Sequence, residues 1–322
     1  MSEAFPNPPA LVIAGPTASG KTEVALALAR RLPAEIVSAD SRQIYRGMDI
    51  GTAKPTPAQR RQVPHHFIDI RNPDEWYTAG EYGRAARRVV VEIMQRGKTP
   101  LIVGGSGFYL QALLQGLSTA LPSDLRLRAQ LQQRLRDEGA PALHRELARI
   151  DPPAAARLHP NDGHRLVRAL EVYQLSGCTL TELQRQAGEP PSFRYRFFCL
   201  ALERSRLYQR INRRVEEMVA AGLLEECRRL LALGYSPQLN ALQTVGYQEA
   251  FQFLNGEISH AEMVALIQRH TRQYAKRQLT WFRRRPNCEW LTLQEQALPE
   301  TAVELILRAI TDHAGRGGSK TG

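Results

Sequence analysis

The sequence predicts an α/β fold: a parallel-sheet core that carries an inserted all-helical domain. Three observations predict it. Short apolar strands alternate with helical stretches as far as Gly107. Between about 120 and 195 the periodicity is helical only. The apolar run Phe197–Leu202 then restores the strand pattern.

Taken in order, Ala10–Ala14 reads as a buried strand followed by a glycine-rich turn, and Lys21–Arg31 as a helix rich in Ala and Leu. Glu35–Ser38 is a second strand, ended by Ala39–Asp40–Ser41. Ala79–Arg96 is a helix closed by Gly97, and Thr99–Val103 is a third strand broken by Gly104–Gly105–Ser106–Gly107. Ser123–Glu138 reads as a capped, Leu-periodic helix stopped by Gly139. Ala140–Ile150 and His164–Ser176 are helical, and Leu180–Gln186 adds a short turn. Thr119–Pro122 and Gly188–Pro191 read as linkers. After the strand Arg196–Leu202 come helices Ser205–Ala221 and Leu223–Leu233, a turn at Gly234–Pro237 and further helices to about Phe282. The expected organisation is a core at 1–119, a helical insertion at 120–195, the rest of the core at 196–313 and a disordered tail at 314–322.

A hydrophobic fraction of 43% supports a core and argues against disorder of the whole chain. No apolar run is long enough to span a bilayer. The first nine residues hold Glu3 and three prolines, not a secretory signal, so a cytoplasmic location is expected. Cys178, Cys199, Cys227 and Cys288 have no CxxC spacing, which disfavours zinc or a redox dithiol. With 43 Lys and Arg against 32 Asp and Glu, the net charge of +11 suggests a polyanionic partner. An Arg-rich composition alone gives the same total, so placement decides. Arg269–Arg285 carries seven basic residues and no acid, with Tyr274, Trp281 and Phe282 interleaved. That pattern suits phosphate pairing and base stacking, or a solvated face over buried aromatics.

Gly15–Pro16–Thr17–Ala18–Ser19–Gly20–Lys21–Thr22 matches G-x-x-x-x-G-K-[ST] in the strand–turn–helix context the pattern requires. The core is therefore P-loop NTPase-like. The glycines let the backbone wrap an anion, the helix start supplies N–H groups, Lys21 supplies a cation, and the Thr22 hydroxyl can hold Mg2+. The loop fits a diphosphate or a triphosphate. No acid follows Leu101–Ile102–Val103, where an NTPase usually places a metal-binding Asp. The only nearby strand ending in an acid leads to Asp40. Asp40 stands where open α/β sheets bind ligands, or serves as an Asx-turn residue. Gln43 could read a base or an amide. Ser106 could bond a substrate or cap the next helix.

GPTASGKT (15–22), SADSRQIY (38–45), GTAKP (51–55), PHHFID (64–69), GGSGFY (104–109), NDGHRLVRALEV (161–172), VGY (245–247) and KRQLTWFR (276–283) occur together in this order. The chain thereby resembles the bacterial tRNA dimethylallyltransferases, from about residue 10 to about 292. The resemblance implies transfer of a dimethylallyl group from dimethylallyl diphosphate to N6 of adenosine 37, beside the tRNA anticodon, with release of diphosphate. The cradle Gly15–Thr22 then holds the donor's diphosphate. Arg214 resembles the family's diphosphate-contacting Arg, although Arg210 and Arg213 stand close by. Asp40, Lys21 and Ser106 are the catalytic set implied. The implied tRNA-binding set is Asp40, Ser41, Arg42, Gln43 and Ser106; His164, Arg165, Leu166, Val167 and Arg168; Gln243, Thr244, Val245, Gly246, Tyr247 and Gln248; and Lys276, Arg277, Gln278, Leu279, Thr280, Trp281, Phe282 and Arg283. Ser106 replaces the family's usual Thr, and His164 replaces a common Gln. The expected partners are the anticodon stem-loop and the prenyl donor, with Mg2+ as cofactor, no membrane and a monomeric state. The rival readings are a P-loop small-molecule kinase and an RNA-dependent ATPase.

Overall fold

The structure is a computed structural model and describes residues 8–116, 124–185, 188–294 and 299–316. It divides into two compact units, 1–113 with 192–322, and 114–191.

The first unit is built on a six-stranded, all-parallel sheet. Its strands are β1 (Ala10–Ala14), β2 (Ala34–Ser38), β3 (His65–His66), β4 (Thr99–Gly104), β5 (Tyr195–Leu202) and β6 (Glu289–Leu293), in the order β3-β2-β4-β1-β5-β6. β1, β2 and β4 are buried along their whole length, as expected of central parallel strands that read as continuous apolar runs. Helices α1 (Lys21–Ala29), α2 (Pro57–Gln62), α3 (Ala79–Gln95) and α4 (Gly107–Gln115) belong to the first half of the chain. α10 (Arg204–Ala220), α11 (Leu223–Ala232), α12 (Tyr247–Leu254), α13 (His260–Arg283) and α14 (Glu300–Arg316) follow β5. One face of the sheet is sealed by α1 and α14, which enclose Leu11, Ile13, Val24, Leu28, Leu101, Phe198 and Ile306. Burying aliphatic side chains at about 25 cal/mol per Å² makes this layer the main source of stability.

The second unit holds α5 (Leu125–Glu138), α6 (Ala140–Ile150), α7 (Pro152–Arg157), α8 (Gly163–Ser176) and α9 (Leu180–Arg185) around Leu131, Leu143, Leu147, Leu166 and Leu170. Its boundaries, 114 and 191, compare with 120 and 195 expected from composition. The first falls inside α4, where no glycine or proline marks it.

Several elements differ from the sequence reading. Asp124 caps α5 by accepting from Leu127 N–H at 2.8 Å; the proposed cap Ser123 and the linker Thr119–Pro122 lie outside the described residues. α14 runs to Arg316, so the first three residues of the expected disordered tail are helical, and 317–322 lie outside the described residues. α2, α7, α14, β3 and β6 were not expected: α2 and α7 have six residues each and β3 two, too few to show a period. Among the described residues, no helix is long and apolar enough to cross a membrane.

Candidate active site

β2, β4 and β1 are neighbours in the sheet, so three loops leave its carboxyl edge side by side. They are Ala39–Gln43, Gly105–Gly107 and Gly15–Gly20. Their close approach depends on glycine. A Cβ on Gly104 would collide with the Ala39 backbone, and one on Gly15 would stand 2.7 Å from the Leu200 carbonyl. Ala18 takes a left-handed φ of 62° and packs with Leu207, Ile211 and Ala275, which ties the loop's tip to α10 and α13.

Lys21 donates to the Pro16 carbonyl at 2.6 Å, folding back over its own loop. Burial first, then the nearby Arg214 charge, lowers its pKa to about 8, against a raising influence from Asp40. Arg214 is likewise lowered by burial and raised by Asp40. Lys21 and Arg214 thus form one electrostatic centre with Asp40, and Glu23 acts on both cations as well. Arg210 is engaged elsewhere, donating to the Ala18 carbonyl at 2.9 Å and to Glu23 at 3.3 Å. Arg213 lies 3.7 Å from Glu217. Of the three arginines, Arg214 is the one whose charge acts on Lys21. The Ser19 hydroxyl is buried without a protein partner, as suits a group that faces an anion in the cradle.

Asp40 Oδ1 accepts from the Arg42 N–H at 2.8 Å and the Gln43 N–H at 3.4 Å. It is therefore an Asx-turn residue, and it also lines the site. Ser106 Oγ accepts from Ser41 N–H at 3.0 Å and donates to Ser41 Oγ at 3.2 Å, joining the β4 loop to the β2 loop. Gln43 Oε1 accepts from Ser38 Oγ at 3.1 Å while its amide donates to the Ala53 carbonyl at 3.3 Å. Gln278 is 7% exposed; its Oε1 accepts from Thr17 N–H at 2.8 Å and its Nε2 donates to the Gly105 carbonyl at 2.9 Å. Tyr274, beside Asp40 and Ser106, is pushed up to about 12 by burial.

Most of these groups, though not Ser106, line a cavity of about 790 Å³. Its wall includes Thr17–Thr22, Asp40–Gln43, Arg213, Arg214, Gln243–Val245, Gln248, Tyr274, Arg277 and Gln278. Segments from seven separate parts of the sequence converge there.

The remaining candidates divide by burial. Gln243, Gln248, Lys276, Arg277, Thr280 and Arg283 are exposed. Tyr247 is fully buried: its hydroxyl donates to Glu226 Oε1 at 2.5 Å. Phe282 is fully buried beside Phe197, and Leu279 packs against the Leu207 cluster. Trp281 packs where a side chain on Gly107 would stand and carries Arg285 over its ring at 3.9 Å. Gly246 donates to Glu249 at 2.7 Å, opening α12. In the helical unit, His164 and Arg165 are exposed, while Leu166 and Val167 are core. Arg168 pairs with the buried Glu171 at 2.7 Å. The side chains of Tyr247, Phe282, Leu166 and Val167 therefore hold the fold rather than present a surface. The period of their helices already marks an inward face, which the residue strings conceal.

Sequence reasoning missed Glu226. It is fully buried in α11, and its carboxylate accepts from the N–H groups of Asp49 (2.8 Å), Ile50 (2.8 Å) and Gly51 (3.0 Å). Gly51 lies so close to the Tyr247 ring that no Cβ fits. Glu226 and Tyr247 thus fix the 49–54 loop that walls the cavity. A lone Glu in a helix gives no signal of this.

A family model described as IPP transferase matches residues 43–285. The chain belongs to the IPP transferase family. The matched span begins after the phosphate cradle and Asp40–Arg42 and takes in the rest of the cavity wall. Among family relatives, tRNA dimethylallyltransferase 1 of Trichlorobacter lovleyi is 50% identical over 292 residues, covering 90% of this chain and 96% of the relative. The tRNA dimethylallyltransferase of Thermotoga neapolitana is 46% identical over 302 residues, covering 92% and 97%. The crystal structure of the tRNA isopentenylpyrophosphate transferase of Bacillus halodurans matches with a TM-score of 0.69 at 36% identity, covering 96% of this chain and 99% of that one. A eukaryotic dimethylallyltransferase captured acting on tRNA matches with a TM-score of 0.79 at 25% identity, covering 96% and 79%.

Proposed function

We propose that this chain transfers a dimethylallyl group from dimethylallyl diphosphate to N6 of adenosine 37 in the anticodon stem-loop of tRNA, releasing diphosphate. The observation that carries the reading is one cavity holding both an anion cradle and a carboxylate, Lys21 with Asp40, beside a helix whose outer face is basic.

The chemistry follows from the groups present. The donor's diphosphate lies against the loop N–H groups, Lys21 and Arg214. As the C–O bond breaks, negative charge grows on the leaving oxygens, and fixed cations stabilise it most at that moment. The N6 amine is a weak nucleophile because its lone pair is delocalised into the ring. Asp40 orients the amine and takes the proton it sheds as the C–N bond forms. The Ser106–Ser41 pair and Gln43 hold the loop that presents Asp40. The base must leave its stack to reach such a cavity, which a single-stranded anticodon loop permits.

Among the described residues no cluster of three His, Cys, Asp or Glu could hold a metal. Thr22 with the donor's own oxygens is the donor set that fits Mg2+, an ion that keeps waters and substrate phosphates as ligands. When bound, it neutralises charge on the diphosphate. We read the chain as a cytoplasmic monomer whose cavity is built within its first unit.

The test is to incubate the protein with carbon-labelled dimethylallyl diphosphate and unmodified tRNA, without ATP. Label entering RNA is expected. Label that stays with the small molecule, together with ATP consumption when ATP is added, would support a kinase or ATPase instead.

A further inference from the structure

We infer that Gln278 is a positioning residue for the transfer: its side-chain amide sets the separation between the phosphate cradle and the loop that presents Asp40. The inference rests on the function proposed above, in which the cradle holds the leaving group and Asp40 meets the amine.

The register of α13 brings Gln278 to this place. Ala275, Gln278 and Phe282 are buried, at spacings of three and four residues, while Lys276, Arg277 and Arg283 are exposed. Ala275 packs with Ala18 at the tip of the cradle loop. One turn further on, Gln278 reaches the backbone. The Thr17 N–H can only donate and the Gly105 carbonyl can only accept, so the partners fix which end of the amide faces which. Oε1 accepts from Thr17 at 2.8 Å, and Nε2 donates to Gly105 at 2.9 Å. The second turn is shaped to this side chain: a Cβ on Gly105 would stand 2.2 Å from Gln278 Nε2.

The bridge continues to the carboxylate. Ser106, which follows Gly105, donates its N–H to the Ala39 carbonyl at 3.2 Å, and its Oγ accepts from Ser41 N–H at 3.0 Å. Those contacts hold the residues on either side of Asp40. Thr17, Gln278, Gly105–Ser106 and Ala39–Ser41 thus form one connected path from the leaving-group side of the cavity to the base side. Each end of the Gln278 amide is engaged inside the protein, although the resemblance groups this residue with the tRNA contacts. Displacement needs the allylic carbon held between the departing oxygen and the N6 amine, and a misplacement of about 1 Å can cost about 100-fold in rate. A buried amide with two backbone partners is a stiff spacer, because releasing either end leaves a backbone group unpaired. Gln278 makes and breaks no bond in the reaction; it acts through the loops it joins.

The experiment is a double-mutant cycle. Gln278→Met keeps the length and burial but has no amide, and Gly105→Ala pushes the amide away from the opposite side. Single-turnover transfer is measured at saturating dimethylallyl diphosphate and tRNA, at a temperature where melts show the parent and every variant folded. tRNA affinity is titrated separately, and donor affinity is read with an analogue whose bridging oxygen is sulfur. Each single variant should transfer roughly 10- to 100-fold more slowly. Both affinities should stay within about threefold of the parent's, the pattern of lost alignment rather than lost binding. The double variant should be no slower than the slower single one, because the bridge is broken only once. Losses that multiply in the double variant would overturn the proposal, since they mean two independent packing defects. Parental speed in Gln278→Met would also overturn it, and weaker tRNA binding in that case would make Gln278 an RNA contact. A parent protein that transfers nothing would instead overturn the function itself.

Discussion

At the scale of single residues, Asp40 has two tasks that a substitution can separate. Its Oδ1 accepts two backbone N–H groups, and its charge sits opposite Lys21 and Arg214. Asp40→Asn keeps the acceptor and loses the charge. Turnover should fall roughly 100-fold with donor and tRNA affinities nearly unchanged. A residue that only shaped the turn would tolerate Asn. Lys21 gives a pH signature. Its folded pKa of about 8 lies below the 10.5 of the unfolded chain, so the folded state loses its proton first. Between these values the unfolded state binds more protons, and stability should rise with pH. The cost of burying the charge is fully present below pH 8. Donor affinity should run the other way, weakening above pH 8 by up to about tenfold per unit as the cation is lost. Lys21→Met should flatten both curves in thermal melts and donor titrations. The cradle and Asp40 were legible in the sequence because a fixed spacing and a strand end carry their meaning. Glu226 was not, because its significance lies in which loop it touches.

At the scale of elements, the cavity walls depend on buried polar groups that cross between segments. Glu226 alone satisfies three backbone N–H groups of the 49–54 region and the Tyr247 hydroxyl. Glu226→Ala should cost about 3 kcal/mol or more, because several buried donors lose their acceptor together. Urea unfolding would measure it, and Tyr247→Phe, which removes one bond, should cost much less. The alternation of strands and helices was readable at β1, β2 and β4 because each is a short, largely apolar run flanked by turn residues. β6 was not, because Glu289–Leu293 is mostly part-exposed and only Leu293 is buried. The string KRQLTWFR reads as one basic segment, yet its helix turns Gln278 and Phe282 inward and Lys276, Arg277 and Arg283 outward.

At the scale of the whole molecule, the surplus of cations is an electrostatic footprint for a folded polyanion. Lys276 and Arg283 are exposed on α13, whose neighbouring residues line the cavity. Replacing either by Ala should weaken tRNA binding, leave donor binding alone and lower the slope of log K against log salt by about one. Titrations at three salt concentrations would show an unchanged slope if these cations only solubilise the helix. Mapping the product is the decisive measurement of the proposed transfer. Unmodified tRNA is treated with the protein and dimethylallyl diphosphate, digested, and the anticodon-loop fragment is weighed and sequenced by tandem mass spectrometry. One dimethylallyl group should replace one hydrogen on adenosine 37, in parent protein and far more slowly in Asp40→Asn. A fragment of unchanged mass, or one that gains a phosphoryl group when ATP is supplied, would contradict it.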